Sequence, residues 1–130
     1  MQKVVILGST GSVGQSSLEV IEKNKDKYEI ACLVAFSNED LIKVQAKRHK
    51  KSKIYIEKPR KKFSTKRFLN KDDLLKLISS KDVDTVIAAI SGSDGLELIL
   101  HSILSGKKVL IANKEPLVMA GEFIVNQAKK

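Results

Sequence analysis

The sequence predicts an α/β protein built on a doubly wound parallel sheet, and three observations support this prediction. Short apolar runs, typical of strands buried on both faces, alternate with amphipathic helical patterns. The first of these strands leads directly into three glycines at a spacing of three, Gly8, Gly11 and Gly14. A second glycine turn, residues 91–95, follows the fourth strand in the same way. Because parallel strands require crossover helices, we expect helices on both faces of the sheet.

The chain contains five predicted strands and five predicted helices in alternation. The strands are expected at residues 4–7, 30–35, 53–57, 84–90 and 108–112. The first helix is expected at about 12–24, and the second from the cap at 38–40 to the basic run at 47. The third follows the cap Asn70, the fourth covers about 95–104 and is ended by Gly106, and the fifth begins at 113–116. Right-handed crossovers predict the strand order 3-2-1-4-5, with strand 3 near an edge.

The glycine loop has the properties of a phosphate site in a Rossmann-like domain. Gly8 permits a sharp turn out of the strand, Gly11 allows the backbone to approach a pyrophosphate, and Gly14 allows close packing of helix on strand. The helix N-terminus adds free N–H groups and partial positive charge. The alternative is a glycine turn that binds nothing, since the spacing G-x-x-G-x-x-G differs from the commoner G-x-G-x-x-G. The strand before the loop and the helix after it favour a nucleotide site.

Three loops are predicted to converge at one edge of the sheet. The carboxyl ends of parallel strands share that edge, so the loops at 8–14, 91–95 and 113–115 should lie close together. This convergence places the cofactor crevice between strands 1 and 4.

The end of the second strand favours NADP over NAD. NAD enzymes of this fold hold the ribose with an acid there, but residues 34–38 contain none. Ser37 and Asn38 can instead donate hydrogen bonds to a 2′-phosphate. Glu39 and Asp40 are assigned to the helix cap, and the preference would reverse if Glu39 reached the ribose.

Length and composition predict a single domain, residues 1–130, of a cytoplasmic protein. The chain is 42% hydrophobic and 30% charged, and no apolar run approaches the length of a membrane span. The N-terminus shows no secretory signal pattern. Cys32, the single cysteine, lies in an apolar run and is expected to be buried, in keeping with a reducing compartment.

The net charge of +9 is confined to one stretch of the chain. Residues 47–67 hold eleven of the 24 basic residues and one acid, Glu57, whereas thirteen bases and fourteen acids lie elsewhere. We interpret the stretch as a solvated helix end and loop and expect no nucleic-acid partner, since Tyr55 and Phe63 are too few for base stacking. His49 and His101 show no metal or triad spacing and are expected at the surface.

Four motifs, in order, resemble one enzyme family. G-S-T-G-S-V-G follows the first strand, L-V-A-F-S-N the second, A-A-I-S-G-S-D-G-L the fourth and I-A-N-K-E-P-L-V the fifth. Together they resemble the N-terminal domain of the 1-deoxy-D-xylulose 5-phosphate reductoisomerases of non-mevalonate isoprenoid biosynthesis. The match covers nearly the whole chain, and the N-K-E motif is not a general feature of Rossmann domains.

The resemblance implies roles for individual residues. The NADPH diphosphate would lie on Thr10, Gly11, Ser12 and Val13, and the 2′-phosphate would lie among Phe36, Ser37 and Asn38. The nicotinamide end would contact Asn113 and Glu115. The sugar-phosphate substrate would contact Lys114. The family usually has Gly at the position of Phe36, and Ser or Thr at that of Pro116.

The resemblance also implies an activity that needs more than this chain. The family isomerises 1-deoxy-D-xylulose 5-phosphate and reduces it with NADPH to 2-C-methyl-D-erythritol 4-phosphate. It requires Mg²⁺ or Mn²⁺, held by carboxylates in a catalytic domain beyond the N-K-E motif. We therefore expect the cofactor domain of a longer, homodimeric enzyme, with no metal bound and no turnover by the 130 residues alone.

Two alternatives remain at this stage. One is the cofactor domain of another NADP oxidoreductase, such as a semialdehyde dehydrogenase or dihydrodipicolinate reductase, and the other is a non-catalytic nucleotide-binding module. Only the reductoisomerase resemblance accounts for N-K-E-P-L-V, and the sequence after Lys130 would distinguish the three.

Overall fold

A five-stranded, fully parallel sheet organises the computed structural model, which describes residues 1–60, 67–90 and 95–111. The elements in chain order are β1 (Gln2–Leu7), α1 (Ser12–Glu22), β2 (Tyr28–Ala35), α2 (Glu39–Arg48), β3 (Lys53–Ile56), α3 (Lys71–Ser79), β4 (Thr85–Ala88), α4 (Leu96–Leu104) and β5 (Lys108–Ile111). The strand order is β3-β2-β1-β4-β5, as the alternation of strands and helices predicts.

The two faces of the sheet carry separate apolar clusters, which shows that the sheet is doubly wound. Val5 and Leu7 of β1 belong to the cluster beneath α3 and α4, and Val4 and Ile6 to the cluster beneath α1 and α2. The helices contribute fully buried side chains to these clusters: Leu18, Ile42, Leu74, Ile78, Leu98 and Ile99. Each such side chain stabilises the fold by roughly 1.5–3 kcal/mol relative to an exposed one. The strands are continuous apolar runs in the sequence because both faces of the sheet are covered by helices.

Side-chain and glycine caps fix the ends of three helices. Asn38 Oδ1 accepts a hydrogen bond from the Leu41 amide at 3.2 Å, and Asn70 Oδ1 accepts one from the Asp73 amide at 2.8 Å. Gly106, at φ +77°, lies just after α4, where a left-handed residue ends a helix. The predictions that residues 38–40 and Asn70 begin helices, and that Gly106 ends one, are confirmed.

Strand ends differ from the sequence prediction where polar residues pair. β1 and β2 begin earlier than their apolar runs, because Gln2 pairs with Tyr28 in the parallel ladder. β4 is shorter than predicted, although the amides of Asp84 and Ala89 still donate to Lys3 and Leu7 carbonyls on either side of it. Apolar pattern alone does not report these backbone pairings. The predicted last helix and most of the second glycine turn lie outside the described residues.

Cys32 lies in the sheet with no exposed surface, as its apolar neighbours predict. Burial raises the pKa of its thiol far above the ordinary value, because a thiolate would lose its hydration there. Cys32 is therefore an inert core residue. Among the helices of the described ranges, none has the length and apolarity needed to cross a bilayer.

Both histidines are predicted to be surface residues, but the structure shows each of them partly buried between two helices. The His49 side chain is only 14% exposed, and its Nε2 lies 2.8 Å from Glu22 Oε1. His101 Nε2 lies 2.8 Å from Ser79 Oγ and 3.0 Å from the Leu75 carbonyl oxygen. Each histidine thus joins two helices, α1 to the end of α2 and α3 to α4, by contacts that sequence spacing does not reveal.

Candidate nucleotide-binding site

Gly8 makes the turn that carries the chain out of β1. Its φ is +86°, and the amides of Gly8 and Ser9 both donate to the Val34 carbonyl, at 2.8 and 3.0 Å. A Cβ at Gly8 would lie 2.4 Å from the Ala89 carbonyl oxygen. Both the left-handed backbone and the close approach of β4 therefore require glycine here. The same contact shows that the ends of β1 and β4 meet at the glycine loop, as predicted.

Gly14 allows the first turn of α1 to pack directly on the loop. A Cβ there would lie 2.0 Å from the Gly8 carbonyl oxygen and 2.8 Å from Ser9 Cα. Backbone atoms of this kind cannot move aside cheaply. The helix N-terminus is consequently held against the end of β1, which is the packing role that the sequence assigns to this glycine.

A Cβ would fit at Gly11, whereas at Gly14 it would not. The Cβ added at Gly11 would meet only ordinary contacts, 3.6 Å from the Gly8 carbonyl oxygen and 3.8 Å from that of Ala89. Gly11 is also the N-cap of α1, which has no side-chain cap and no acid in its first turn. Ser12 and Val13 beside it are exposed. The start of α1 therefore presents amide donors and partial positive charge to solvent, a suitable place for an anion.

A buried contact behind the loop escaped the sequence analysis. Gln45 of α2 donates through Nε2 to the Ser9 carbonyl oxygen at 2.8 Å, and both residues are fully buried. The Ser9 hydroxyl and Gln45 Oε1 have no partner in the part of the chain that the structure describes. The bond spans 36 residues and fixes the loop to α2, and no local pattern signals it.

The tip of β2 meets the segment that follows β3. The Lys58 amide donates to the Phe36 carbonyl oxygen at 2.9 Å, and Phe36 packs partly buried against the core beneath α3 and α4. Ser37 is exposed and, with Phe36, Glu57 and Lys58, lines a cavity of about 180 Å³. Asn38 is exposed as well, but its side-chain oxygen is occupied as the cap of α2. Two of the three residues assigned to the 2′-phosphate, Phe36 and Ser37, therefore line a small groove together with Glu57 and Lys58.

Glu39 is the first residue of α2 and is almost fully buried, with a side chain 2% exposed. Its Oε2 accepts a hydrogen bond from Arg60 Nε at 2.7 Å, and Arg60 Nη2 donates to Asp40 Oδ1 at 2.6 Å. These hydrogen bonds raise the pKa of the Arg60 guanidinium above its usual value. Glu39 lies in the first turn of the helix, as predicted, but its pairing with Arg60 was not predicted.

Several predicted site residues lie outside the described ranges. They are the N-K-E residues Asn113, Lys114 and Glu115, and residues 91–94 of the second glycine turn. Within the described ranges, no group of three potential metal ligands lies close together.

A cavity of about 410 Å³, larger than the groove beside Ser37, lies away from the glycine loop. It is at the amino edge of the sheet, where Glu22, Arg48 and His49 are among its lining residues. Nucleotide crevices of open α/β sheets lie at the carboxyl edge and are open grooves, so we assign the site by the loop geometry rather than by cavity size.

Comparison with known proteins agrees with this geometry. The family model for 1-deoxy-D-xylulose 5-phosphate reductoisomerase matches residues 4–121. Curated relatives of that name include the protein of Wigglesworthia glossinidia brevipalpis, 38% identical, and that of Glaesserella parasuis, 36% identical. Each alignment covers the whole of this chain and 36% of the relative, so the chain spans about a third of their length.

Solved structures give the same result. A DOX-P reductoisomerase in complex with NADPH, fosmidomycin and magnesium matches with a TM-score of 0.83 and 33% identity, over 99% of this chain and 34% of that one. The enzyme from Zymomonas mobilis in complex with NADPH matches with a TM-score of 0.81 and 34% identity, over 98% and 36%. A homoserine dehydrogenase from Thiobacillus denitrificans, 23% identical with a TM-score of 0.68, shares the fold alone. The chain belongs to the 1-deoxy-D-xylulose 5-phosphate reductoisomerase family.

Proposed function

We propose that the chain is the NADPH-binding part of a reductoisomerase that converts 1-deoxy-D-xylulose 5-phosphate to 2-C-methyl-D-erythritol 4-phosphate. The observation that carries the proposal is the glycine loop, in which the exposed Gly11 lies beside an uncapped start of α1 at the carboxyl edge of the sheet. The chain belongs to a family whose solved members include complexes with NADPH. The loop supplies what a diphosphate needs, namely amide donors, partial positive charge and room.

The diphosphate would lie on Thr10, Gly11, Ser12 and Val13. Gly8 and Gly14 are buried and serve the geometry of the loop, whereas these four residues are exposed or partly exposed. The Ser12 and Val13 amides belong to the first turn of α1, where intrahelical acceptors are lacking. Because Gly11 has no side chain, the phosphate oxygens can come close to the backbone.

The adenosine 2′-phosphate would lie at the tip of β2, beside Phe36, Ser37 and Asn38. Ser37 lines the groove and has a hydroxyl to donate, and Lys58, which also lines it, supplies a cation beside the Glu57 carboxylate. The side chain of Phe36 packs against the core, so its bulk does not fill the groove completely.

The nicotinamide end and the substrate are assigned to the N-K-E motif. Asn113 and Glu115 would contact the nicotinamide, and Lys114 the phosphorylated substrate, because the fifth strand ends at the same edge as the glycine loop. NADPH supplies a hydride, and a divalent cation, Mg²⁺ or Mn²⁺, would polarise the substrate oxygens. We assign the cation to carboxylates in a part of the whole enzyme beyond this chain.

We further propose that the whole enzyme is a cytoplasmic homodimer. The buried free thiol of Cys32 suits a reducing compartment, and the dimer rests on the family resemblance.

Turnover of the whole protein tests the proposed function. We expect oxidation of NADPH that depends on both 1-deoxy-D-xylulose 5-phosphate and a divalent cation, followed by the absorbance of NADPH. Lys114→Ala should lower this activity without changing NADPH affinity, since the lysine is assigned to the substrate. The 130 residues alone should bind NADPH without turnover, because hydride transfer needs a polarised carbonyl held beside the nicotinamide. A whole protein that binds NADPH but leaves this substrate unchanged would refute the assignment.

A further inference from the structure

We propose that Arg60 determines cofactor specificity by covering and neutralising the buried carboxylate of Glu39, so that the tip of β2 accepts a 2′-phosphorylated dinucleotide. This inference rests on the proposed function and concerns how the same site distinguishes NADPH from NADH.

Glu39 stands close to where an acid would favour NADH. It lies four residues after the end of β2 and begins α2, next to the strand tip from which Asp or Glu accepts hydrogen bonds from the ribose hydroxyls of NAD in this fold. An uncovered carboxylate here would attract the 2′-hydroxyl of NADH and repel the 2′-phosphate of NADPH. A chain that binds NADPH while keeping this acid needs a positive charge that neutralises the carboxylate.

In the structure, the guanidinium of Arg60 pairs with the Glu39 carboxylate and supplies this positive charge. Its Nε donates to Glu39 Oε2 at 2.7 Å, and its Nη2 donates to Asp40 Oδ1 at 2.6 Å, so one guanidinium joins both acids. The other Glu39 oxygen, Oε1, is also buried and has no partner among the described residues. Neither carboxylate oxygen of Glu39 is therefore open to a ribose hydroxyl while Arg60 is in place.

Arg60 also keeps donors for an anion. A guanidinium has five N–H donors, and two of these make the hydrogen bonds to Glu39 and Asp40. The Arg60 side chain is 64% exposed, so much of the group faces solvent at the carboxyl edge. The outermost group at this position is therefore the cationic guanidinium of Arg60 and not the carboxylate of Glu39.

The position of Arg60 beside the groove follows from the backbone. The segment after β3 is tied to the tip of β2 by the amides of Glu57 and Lys58, which donate to the carbonyls of Ala35 and Phe36 at 3.0 and 2.9 Å. Ser37, Glu57 and Lys58 all line the 180 Å³ groove, and Arg60 lies two residues beyond Lys58. β3 therefore divides the basic stretch, leaving Arg48 and its neighbours at the amino edge and placing Lys58 and Arg60 at the carboxyl edge.

The test measures the dissociation constants of NADPH and NADH for the whole protein by calorimetry. In Arg60→Ala we expect NADPH to weaken by about tenfold or more while NADH is unchanged or tightened, so that the preference collapses. The matched control is Arg48→Ala. Arg48 is also exposed and paired with a glutamate, Glu22, but it lies at the amino edge, so its removal should leave the ratio unchanged.

A second pair of variants isolates the role of Glu39. Glu39→Gln has no charge to cover, so adding Arg60→Ala to it should cost much less of the NADPH preference than Arg60→Ala costs in the unaltered protein. Because both of these proteins lack a buried unpaired carboxylate, the comparison stands even if Arg60→Ala alone fails to fold.

Three results would overturn the inference. The first is a ratio of the NADH and NADPH dissociation constants that is unchanged in Arg60→Ala. The second is an equal weakening of NADPH and NADH binding in that variant. The third is a loss of NADPH preference on removing Arg60 that is just as large in the Glu39→Gln background. If the unaltered protein binds neither cofactor, the proposed function fails together with this inference. If it prefers NADPH and any of the three results is found, only the inference fails.

Discussion

Gly8, Gly11 and Gly14 are the same residue at equal spacing, yet the structure gives them different tasks. Gly8 and Gly14 are required by the fold, since an added Cβ would lie 2.4 Å and 2.0 Å from backbone carbonyl oxygens. Gly11 has ordinary clearance of 3.6 Å, so its lack of a side chain serves the space in front of the loop. The motif of three glycines therefore separates into two positions that the fold requires and one, Gly11, that we propose for binding.

Substitution of Gly11 and Gly14 tests this division. Gly14→Ala should lower the free energy of unfolding by about 1–3 kcal/mol or more, because backbone atoms must move apart. Gly11→Val should lower that free energy by no more than about 1 kcal/mol, because the Cβ fits and only the N-cap preference for glycine over valine is lost, but it should weaken NADPH by about tenfold or more, since the side chain occupies the phosphate space. Urea unfolding and calorimetric titration give the two quantities. NADPH binding of unaltered strength in folded Gly11→Val would show that the phosphate lies elsewhere.

Single residues were predictable from sequence when their role depends on local backbone or on an apolar run. The glycines, the caps Asn38 and Asn70 and the buried Cys32 belong to this group. Contacts between distant residues were not predictable. Arg60 reaches Glu39 across 21 residues, because β3 carries the chain from one edge of the sheet to the other.

At the scale of elements, Arg67 shows how a loop residue ends a helix. Its Nη2 donates to the Ala46 carbonyl oxygen at 2.7 Å and also to that of His49, while its Nε donates to the Ser52 carbonyl oxygen at 2.7 Å. These carbonyls lie at the C-terminal end of α2 and just beyond it, where intrahelical donors are missing. A cation there also suits the negative end of the helix dipole.

Arg67→Ala should destabilise the protein by about 1–3 kcal/mol, because charge-assisted hydrogen bonds to several carbonyls are lost. Arg48→Ala again provides the control: its ion pair with Glu22 is exposed and 3.8 Å long, and is worth about 0–1 kcal/mol. Thermal or urea unfolding measures both values. Equal stability of the two variants would mean that Arg67 does not hold the end of α2. NADPH affinity should remain unchanged in both, since these arginines lie at the amino edge.

The order of elements was predictable because helical and strand periodicities differ and crossovers are right-handed. The boundaries of the elements were less predictable from the sequence. β2 begins at Tyr28 rather than in its apolar run, since polar residues at strand ends can pair through the backbone alone. The basic stretch looked like one solvated loop in the sequence, whereas β3 divides it between opposite edges of the sheet.

At the scale of the whole molecule, the two edges of the sheet differ in chemistry. The carboxyl edge carries the glycine loop, the open start of α1 and the groove beside Ser37. The amino edge carries the larger cavity, about 410 Å³, in which Glu22 is already paired with Arg48 and His49. We propose that the dinucleotide binds at the carboxyl edge, even though the cavity at the amino edge encloses more space.

A backbone amide chemical-shift map of the isotope-labelled chain, titrated with NADPH, tests that claim most directly. We expect the largest shifts at residues 8–14 and 36–39, with saturation at one site, and no comparable shifts at residues 48–52 around the amino-edge cavity. Shifts concentrated at residues 48–52, with the glycine loop unaffected, would contradict the central claim that NADPH binds on the loop between β1 and α1.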